Sequence, residues 1–352
     1  MKVIFLTKHK IDLDVLKGGE IASKANYDAL TEICGEKNIE ILEIKEKKSL
    51  FGKYIQYLFK RDGYDKAEER RLCRYINEKA IDIIFFDGSW FGGLINKLNV
   101  NSKKIVFLHN VEKEYSYARM KRNRLTAIKY RSVAFNEKQI MAKADYVFVL
   151  NQRDNQLIKK FYQRECDLFL PIAIKDTYYP ITQNIVKQGK KSLLFVGSYF
   201  QPNVDGIIWF IKEVLPMVEC GLVIIGKDME KVKYLENENI IVVGTVENTA
   251  EYYIYADAVV IPIFSGGGMK VKTAEAMMYG KKILGTREAL IGYCEEEVEG
   301  ICECNTAEEY INAIKNLDNQ RYNQNIRQHF LDNFTYEINK KRLGEFFHEC
   351  IS

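Results

Sequence analysis

The densest chemistry in this sequence lies in the run Ser265-Gly266-Gly267-Gly268-Met269-Lys270-Val271-Lys272-Thr273-Ala274-Glu275-Ala276-Met277-Met278-Tyr279-Gly280. It follows the apolar stretch Ala258–Ile261 and reads as strand, glycine loop, helix, with Gly280 as the helix stop. Consecutive glycines let a backbone approach a bulky ligand and turn its N–H groups toward an anion. The helix N-terminus adds partial positive charge. Lys270 and Lys272 fall in the first turn, where cations oppose the dipole. Lys272 also precedes Glu275 in the poorer i, i+3 order. An anionic ligand would resolve this conflict. Gly266, Gly267, Gly268, Met269, Lys270 and Lys272 therefore read as a diphosphate site. Glu275, one turn further along the same face, is placed to accept hydrogen bonds from both hydroxyls of a ribose.

Other candidates sit at the ends of apolar runs. His109 follows Ile105–Leu108, and Asn110 and Glu112 come directly after it. Gly18-Gly19 stands between the first apolar run and a helical pattern, where the backbone could face phosphate or acceptor. Asp12-Leu13-Asp14 is an isolated Asp-x-Asp, and no His/Asp/Glu cluster has metal-ligand spacing along the chain. No bound metal or cofactor is expected.

These residues require a scaffold of alternating strands and helices. Continuous apolar runs occur at Lys2–Leu6, Ile39–Ile44, Ile81–Phe86, Lys104–Leu108 and Tyr146–Leu150. A second set occurs at Ser192–Val196, Leu222–Ile225, Ile240–Val243, Ala258–Ile261 and Lys282–Leu284. Strands of this kind, separated by helical stretches, imply parallel sheets covered on both faces. The expectation is two doubly wound α/β domains, 1–172 and 191–332, joined by a linker over 173–190. A ligand cleft would lie at the carboxyl ends of the strands. The final segment, 333–352, reads as an amphipathic helix that crosses back to the first domain.

With these motifs in order, the sequence resembles glycosyltransferases of the GT-B fold, in particular the retaining family 4. Glu275-Ala276-Met277 matches that family's Glu-Ala-Met step, and Glu275 matches the second Glu of its Glu-x7-Glu motif. The first Glu is replaced by Gly267, a departure at a position that normally lies close to the donor sugar. The Gly-x-Gly-x-Lys/Arg-x-Lys variant fits better, through Gly266, Gly268, Lys270 and Lys272. Leu194-Phe195-Val196-Gly197-Ser198, followed by Asn203, Gly206 and Trp209, resembles the opening of the family's second domain. Gly18-Gly19 resembles its N-terminal glycine loop. His109-Asn110-Val111-Glu112 resembles the His-Asn-x-Glu of bacterial polysaccharide enzymes.

The resemblance implies a retaining sugar transfer from a nucleoside-diphosphate donor to a hydroxyl of a glycan or lipid-linked acceptor. His109 and Lys272 would be catalytic. Gly18, Gly19, Gly197, the glycine loop and Glu275 would bind donor, and Asn110 and Glu112 would position substrate hydroxyls. Two alternatives remain open, a nucleotide-sugar epimerase of the same fold and a non-catalytic partner subunit.

Composition sets the remaining bounds. The 352 residues carry 52 Lys+Arg against 48 Asp+Glu, a balance that excludes a dedicated nucleic-acid binder. No apolar run approaches the length of a membrane span, and the eight scattered cysteines form no metal-type pair, so a cytoplasmic chain with reduced thiols is expected. Within Tyr117–Lys143 stand Arg119, Lys121, Arg122, Arg124, Lys129, Arg131, Lys138 and Lys143, opposed only by Glu137. Phe51, Tyr54, Tyr57 and Phe59 interleave with Lys53, Lys60 and Arg61. Both stretches suit peripheral contact with an anionic membrane surface.

Overall fold

The computed structural model describes residues 1–11, 18–179, 190–294 and 296–350. Asp12-Leu13-Asp14 and residues 180–189 of the expected linker lie outside the described residues. The chain forms two compact units, Met1–Pro171 with Asn339–Ser352, and Ile172–Ile338.

The first unit is built on a parallel sheet of β1 (Val3–Thr7), β2 (Ile39–Glu43), β3 (Ile83–Asp87), β4 (Lys103–Leu108), β5 (Tyr146–Val149) and β6 (Leu168–Phe169), in the order β2-β1-β3-β4-β5-β6. Every residue of β1 and β3 is buried, as their unbroken apolar character requires for a sheet covered on both faces. With β1 in the interior, the chain winds first one way and then the other, and right-handed crossovers then cover both faces. The reversal falls between β1 and β3, whose register sets Thr7 opposite Asp87.

The second unit holds β7 (Lys191–Val196), β8 (Cys220–Ile225), β9 (Ile240–Gly244), β10 (Ala258–Ile261), β11 (Lys282–Gly285) and β12 (Ile301–Glu303), all parallel. The order β12-β11-β10-β7-β8-β9 is that of a dinucleotide-binding sheet, with its switch point between β7 and β10. Residues 172–179 pack into this unit. Ile174 bridges Thr335, and Asp176 pairs with Arg327.

All ten apolar runs form strands. The sequence reading missed β6 and β12, edge strands of two and three residues whose side chains are largely exposed. The last helix, Tyr336–Cys350, belongs to the first unit from Asn339 onward. There Phe346 sets its ring against Tyr146 and Phe148, 5.1 and 4.8 Å away.

Candidate functional site

The functional side chains gather at the carboxyl ends of strands flanking each switch point, where open α/β sheets bind ligands.

In the second unit, β10 runs into the glycine loop and the helix Val271–Met278, with Lys270 as its N-cap residue. The Lys270 side chain makes no capping hydrogen bond to this helix end. Gly268 turns the loop at φ 62°, a left-handed conformation that favours glycine. The Lys272 ammonium donates to Asn203 Oδ1 at 2.8 Å and lies 4.8 Å from the Phe195 ring centre. Asn203 is itself fixed by donating to the Ser198 carbonyl at 2.8 Å. Gly197 leaves room for this ammonium, because a Cβ there would stand 2.8 Å from Nζ. Burial pushes the Lys272 pKa down to about 7, with Glu275 opposing and Lys270 adding.

Glu275 accepts from the Tyr253 hydroxyl at 2.9 Å, and Tyr253 stacks on Tyr279 at 4.8 Å. Burial raises the Glu275 carboxyl pKa, while the Tyr253 bond and Lys272 hold it back. Lys272 and Glu275 thus take separate partners, Asn203 and Tyr253. Lys270 has protein partners of its own. Its ammonium bonds Glu288 at 2.8 Å and the Gly268 carbonyl at 2.7 Å, and its own carbonyl accepts from Tyr293. Lys270 therefore braces the glycine loop, with Gly266 against its side chain. Met269 is buried beneath the same loop.

In the first unit, Asp87 ends β3 in full burial. It accepts from Thr7 Oγ1 and Ser23 Oγ, each at 2.6 Å, and faces His109 Nε2 at 2.8 Å. Burial alone would raise the Asp87 pKa, but His109, His9 and Ser23 together bring it below the ordinary carboxylate value. Trp90 stacks on the His109 ring at 5.9 Å, and His9 meets that ring edge-on at 5.1 Å. His9 lies against Gly19, in the first turn of the helix Gly18–Cys34. Burial and the neighbouring His109 lower the His9 pKa.

The fold thus assembles the cluster that spacing along the chain does not reveal. His9, Asp87 and His109 offer three ligand atoms within 4.8 Å of one another. Two hydroxyls and His109 occupy the Asp87 oxygens in a hydrogen-bonded network. A metal ion would have to displace the His109–Asp87 contact.

Beyond His109, Asn110 Nδ2 donates to Glu112 Oε1 at 3.3 Å. Asn110 Oδ1 is buried without a partner among the described residues. Burial raises the Glu112 pKa. Val111 provides no side-chain cap for the helix Glu112–Arg122, and Glu137 of the helix Ala127–Lys143 does so instead. Glu137 accepts from the backbone N–H of Glu112 at 2.6 Å and of Lys113 at 3.2 Å, and also bonds Tyr162 and Ser89. It is fully buried, not a surface acid among the basic residues, and burial pushes its pKa up to about 7.

Sequence reasoning missed Asp87, Ser23, His9, Trp90, Tyr253 and Glu137's capping role. An acid closing an apolar run, as Asp87 does, was the one visible signal.

Residues 190–320 match the family described as glycosyl transferases group 1. No curated protein matches the chain by sequence. Among solved structures, Anabaena Alr3699/HepE in complex with UDP is similar at 12% identity and a TM-score of 0.69, over 99% of this chain and 100% of that one. The lipopolysaccharide outer core galactosyltransferase WaaB in its apo form is similar at 13% identity and a TM-score of 0.64, over 99% of each chain. TarM is similar at 14% identity and a TM-score of 0.66, over 98% of this chain and 99% of that one. The architecture is the two-domain GT-B fold of glycosyltransferases.

Proposed function

We propose that this chain is a glycosyltransferase that moves a sugar from a nucleoside-diphosphate donor to an acceptor hydroxyl, with retention of configuration. The observation that carries this reading is Lys272. Its ammonium is desolvated enough to hold its pKa near 7, yet Asn203 and the space left by Gly197 keep it at the carboxyl end of β7. A bound diphosphate would stabilise that charge. As the glycosidic bond breaks, its electron pair passes to the diphosphate oxygen. Lys272, the helix N-terminus and the loop N–H groups then lie where negative charge develops. In a retaining reaction the departing phosphate oxygen takes the acceptor's proton as the new bond forms, so no separate base is required. Lys270, held by Glu288, shapes the loop and adds charge at second hand.

Glu275, oriented by Tyr253, is assigned to the ribose. Asp87 holds the His109 ring in place, and we assign His109 to the sugar or acceptor, with Asn110 and Glu112 presenting polar atoms beside it. The HepE structures contain UDP, UDP with glucose, and UDP-glucose, which makes a uridine diphosphohexose the first donor to test. A glycan or lipid-linked acceptor, cytoplasmic location and surface polysaccharide assembly complete the reading.

The test is calorimetric titration with UDP, GDP, dTDP and ADP at about pH 6.5, where the ammonium is largely protonated. One nucleotide should bind, and Lys272→Ala and Glu275→Ala should each weaken it by roughly tenfold or more. Lys272→Ala should also lower turnover by about 10²–10³-fold. Absence of binding by all four would overturn the donor site and favour a non-catalytic partner. Turnover of donor without an acceptor would favour an epimerase.

A further inference from the structure

The helix Leu50–Leu58 in the first unit is built inside out. None of its residues is fully buried. The side chains it exposes are Leu50 at 87%, Phe51 at 75%, Tyr54 at 44% and Leu58 at 56%. At helical spacing these four fall within one face, the face where a water-exposed helix ordinarily carries charge. Phe59 continues the strip beyond the helix end. The helix packs on the helix Ala127–Lys143, where Lys129 lies 5.7 Å from the Tyr57 ring. Leu125, at 82% exposure, projects from the turn that opens that helix.

The exposed charge of the Tyr117–Lys143 segment that follows is of one sign. Arg119, Lys121, Arg124, Lys129, Arg131, Lys138 and Lys143 are exposed, and none forms an ion pair among the described residues. The only acid in Tyr117–Lys143 is Glu137, which is fully buried. The acids of residues 46–65 are paired, Glu46 with Lys8 and Lys53, Asp62 with Lys8, and Asp65 with Lys47. An apolar ridge flanked by uncompensated cations matches a surface that offers both acyl chains and negative headgroups.

We propose that this face docks on an anionic lipid bilayer, with the exposed side chains of the Leu50–Leu58 helix and Leu125 entering the headgroup boundary and the cations paired with lipid phosphates. Attachment is peripheral, and no helix among the described residues is long and apolar enough to cross a membrane. The inference uses no donor-site residue, so it stands or falls apart from the proposed activity.

Flotation of the full chain with phosphatidylcholine vesicles, with and without phosphatidylglycerol, tests it. The chain should float with the anionic vesicles, bind neutral ones at least roughly tenfold more weakly, and dissociate at about 1 M salt, where screening contracts to roughly 3 Å. Lys121→Glu/Arg124→Glu/Lys129→Glu should weaken binding by roughly a hundredfold. Phe51→Ser/Leu58→Ser should weaken it by roughly tenfold or more. These positions are exposed, so circular dichroism and the urea unfolding midpoint should match wild type. A variant that fails those controls is replaced by the single changes Phe51→Ser or Lys121→Glu. Equal flotation with neutral vesicles, no flotation with anionic ones, or folded variants that float like wild type would overturn the proposal. A concentration-dependent dimer abolished by Phe51→Ser/Leu58→Ser, without flotation, would overturn it in favour of contact between copies.

Discussion

Lys272 should give the second-unit site a pH dependence of definite sign. Burial sets its pKa near 7 in the free protein, and only the ammonium attracts a diphosphate. Raising the pH above about 7 should therefore weaken nucleotide binding, by up to roughly tenfold per unit until the bound-state pKa is reached. Titration between about pH 7 and pH 9 avoids the terminal phosphate's own ionisation near pKa 6. Lys272→Met should bind weakly with a flat profile, and a flat wild-type profile would remove Lys272 from the site. The dipole argument made this lysine legible in sequence, because local charge order needs no tertiary information. Its partner was not. Asn203 lies 69 positions away, and only the adjacency of β7 and β10 brings them together. Asp87 was hidden for the same reason. Its hydroxyl donors lie 80 and 64 residues away, on β1 and on the helix Gly18–Cys34. Register decides such meetings, and the sequence alone does not state it.

At the scale of elements, two helices are joined by one carboxyl group. Glu137 supplies the acceptor that the N-terminus of Glu112–Arg122 lacks, at the point where the chain leaves β4 through His109. Glu137→Ala would strand two backbone donors and the Tyr162 hydroxyl, costing about 2–4 kcal/mol in urea unfolding. The carboxyl has an ordinary pKa of 4.5 that rises to about 7 on folding, so the folded chain holds a proton that the unfolded chain releases in between. Its contribution to stability is therefore fully present below about 4.5 and is lost as pH rises through 7, on the order of 3 kcal/mol in all. Glu137→Gln keeps an acceptor without the charge. It should flatten this slope and unfold at higher urea than wild type near pH 8. Equal midpoints for wild type and both variants would deny Glu137 the capping role. In sequence Glu137 read as a lone acid in a basic stretch, and nothing local showed that it pointed inward. The central strands were legible because each is an unbroken apolar run. β12 was not, because Cys302 and Glu303 are exposed and the strand lies at the sheet edge.

For the whole molecule, the consequential feature is that the first unit is not contiguous in sequence. Its sheet is complete by Phe169, but residues from Asn339 onward supply part of its packing. Asn339 donates to the Pro171 carbonyl at 2.5 Å, 168 residues away, and Tyr146 donates to the Cys350 carbonyl at 2.9 Å. Leu343 is fully buried, and Phe346 sits edge-on to Tyr146 and Phe148. The second unit has its own apolar core, centred on residues such as Leu193, Phe210, Ile224 and Val260, and no residue from Asn339 onward is among the described residues of that cluster. Removing residues 339–352 should therefore act unequally. The second unit should keep its fold and its nucleotide affinity, and hydrogen exchange over 190–338 should stay slow. The first unit should lose protection over β4 and β5 and become open to proteolysis within residues 1–171. Phe346→Ala should produce a milder form of the same defect, about 3–5 kcal/mol, because the ring fills a buried site that a methyl group leaves empty. If the shortened chain kept full protection over β5, the terminal helix would be a passive cover. Loss of protection in both units together would instead show that the two cores unfold as one, and the separate ligand response expected of the second unit would then disappear as well.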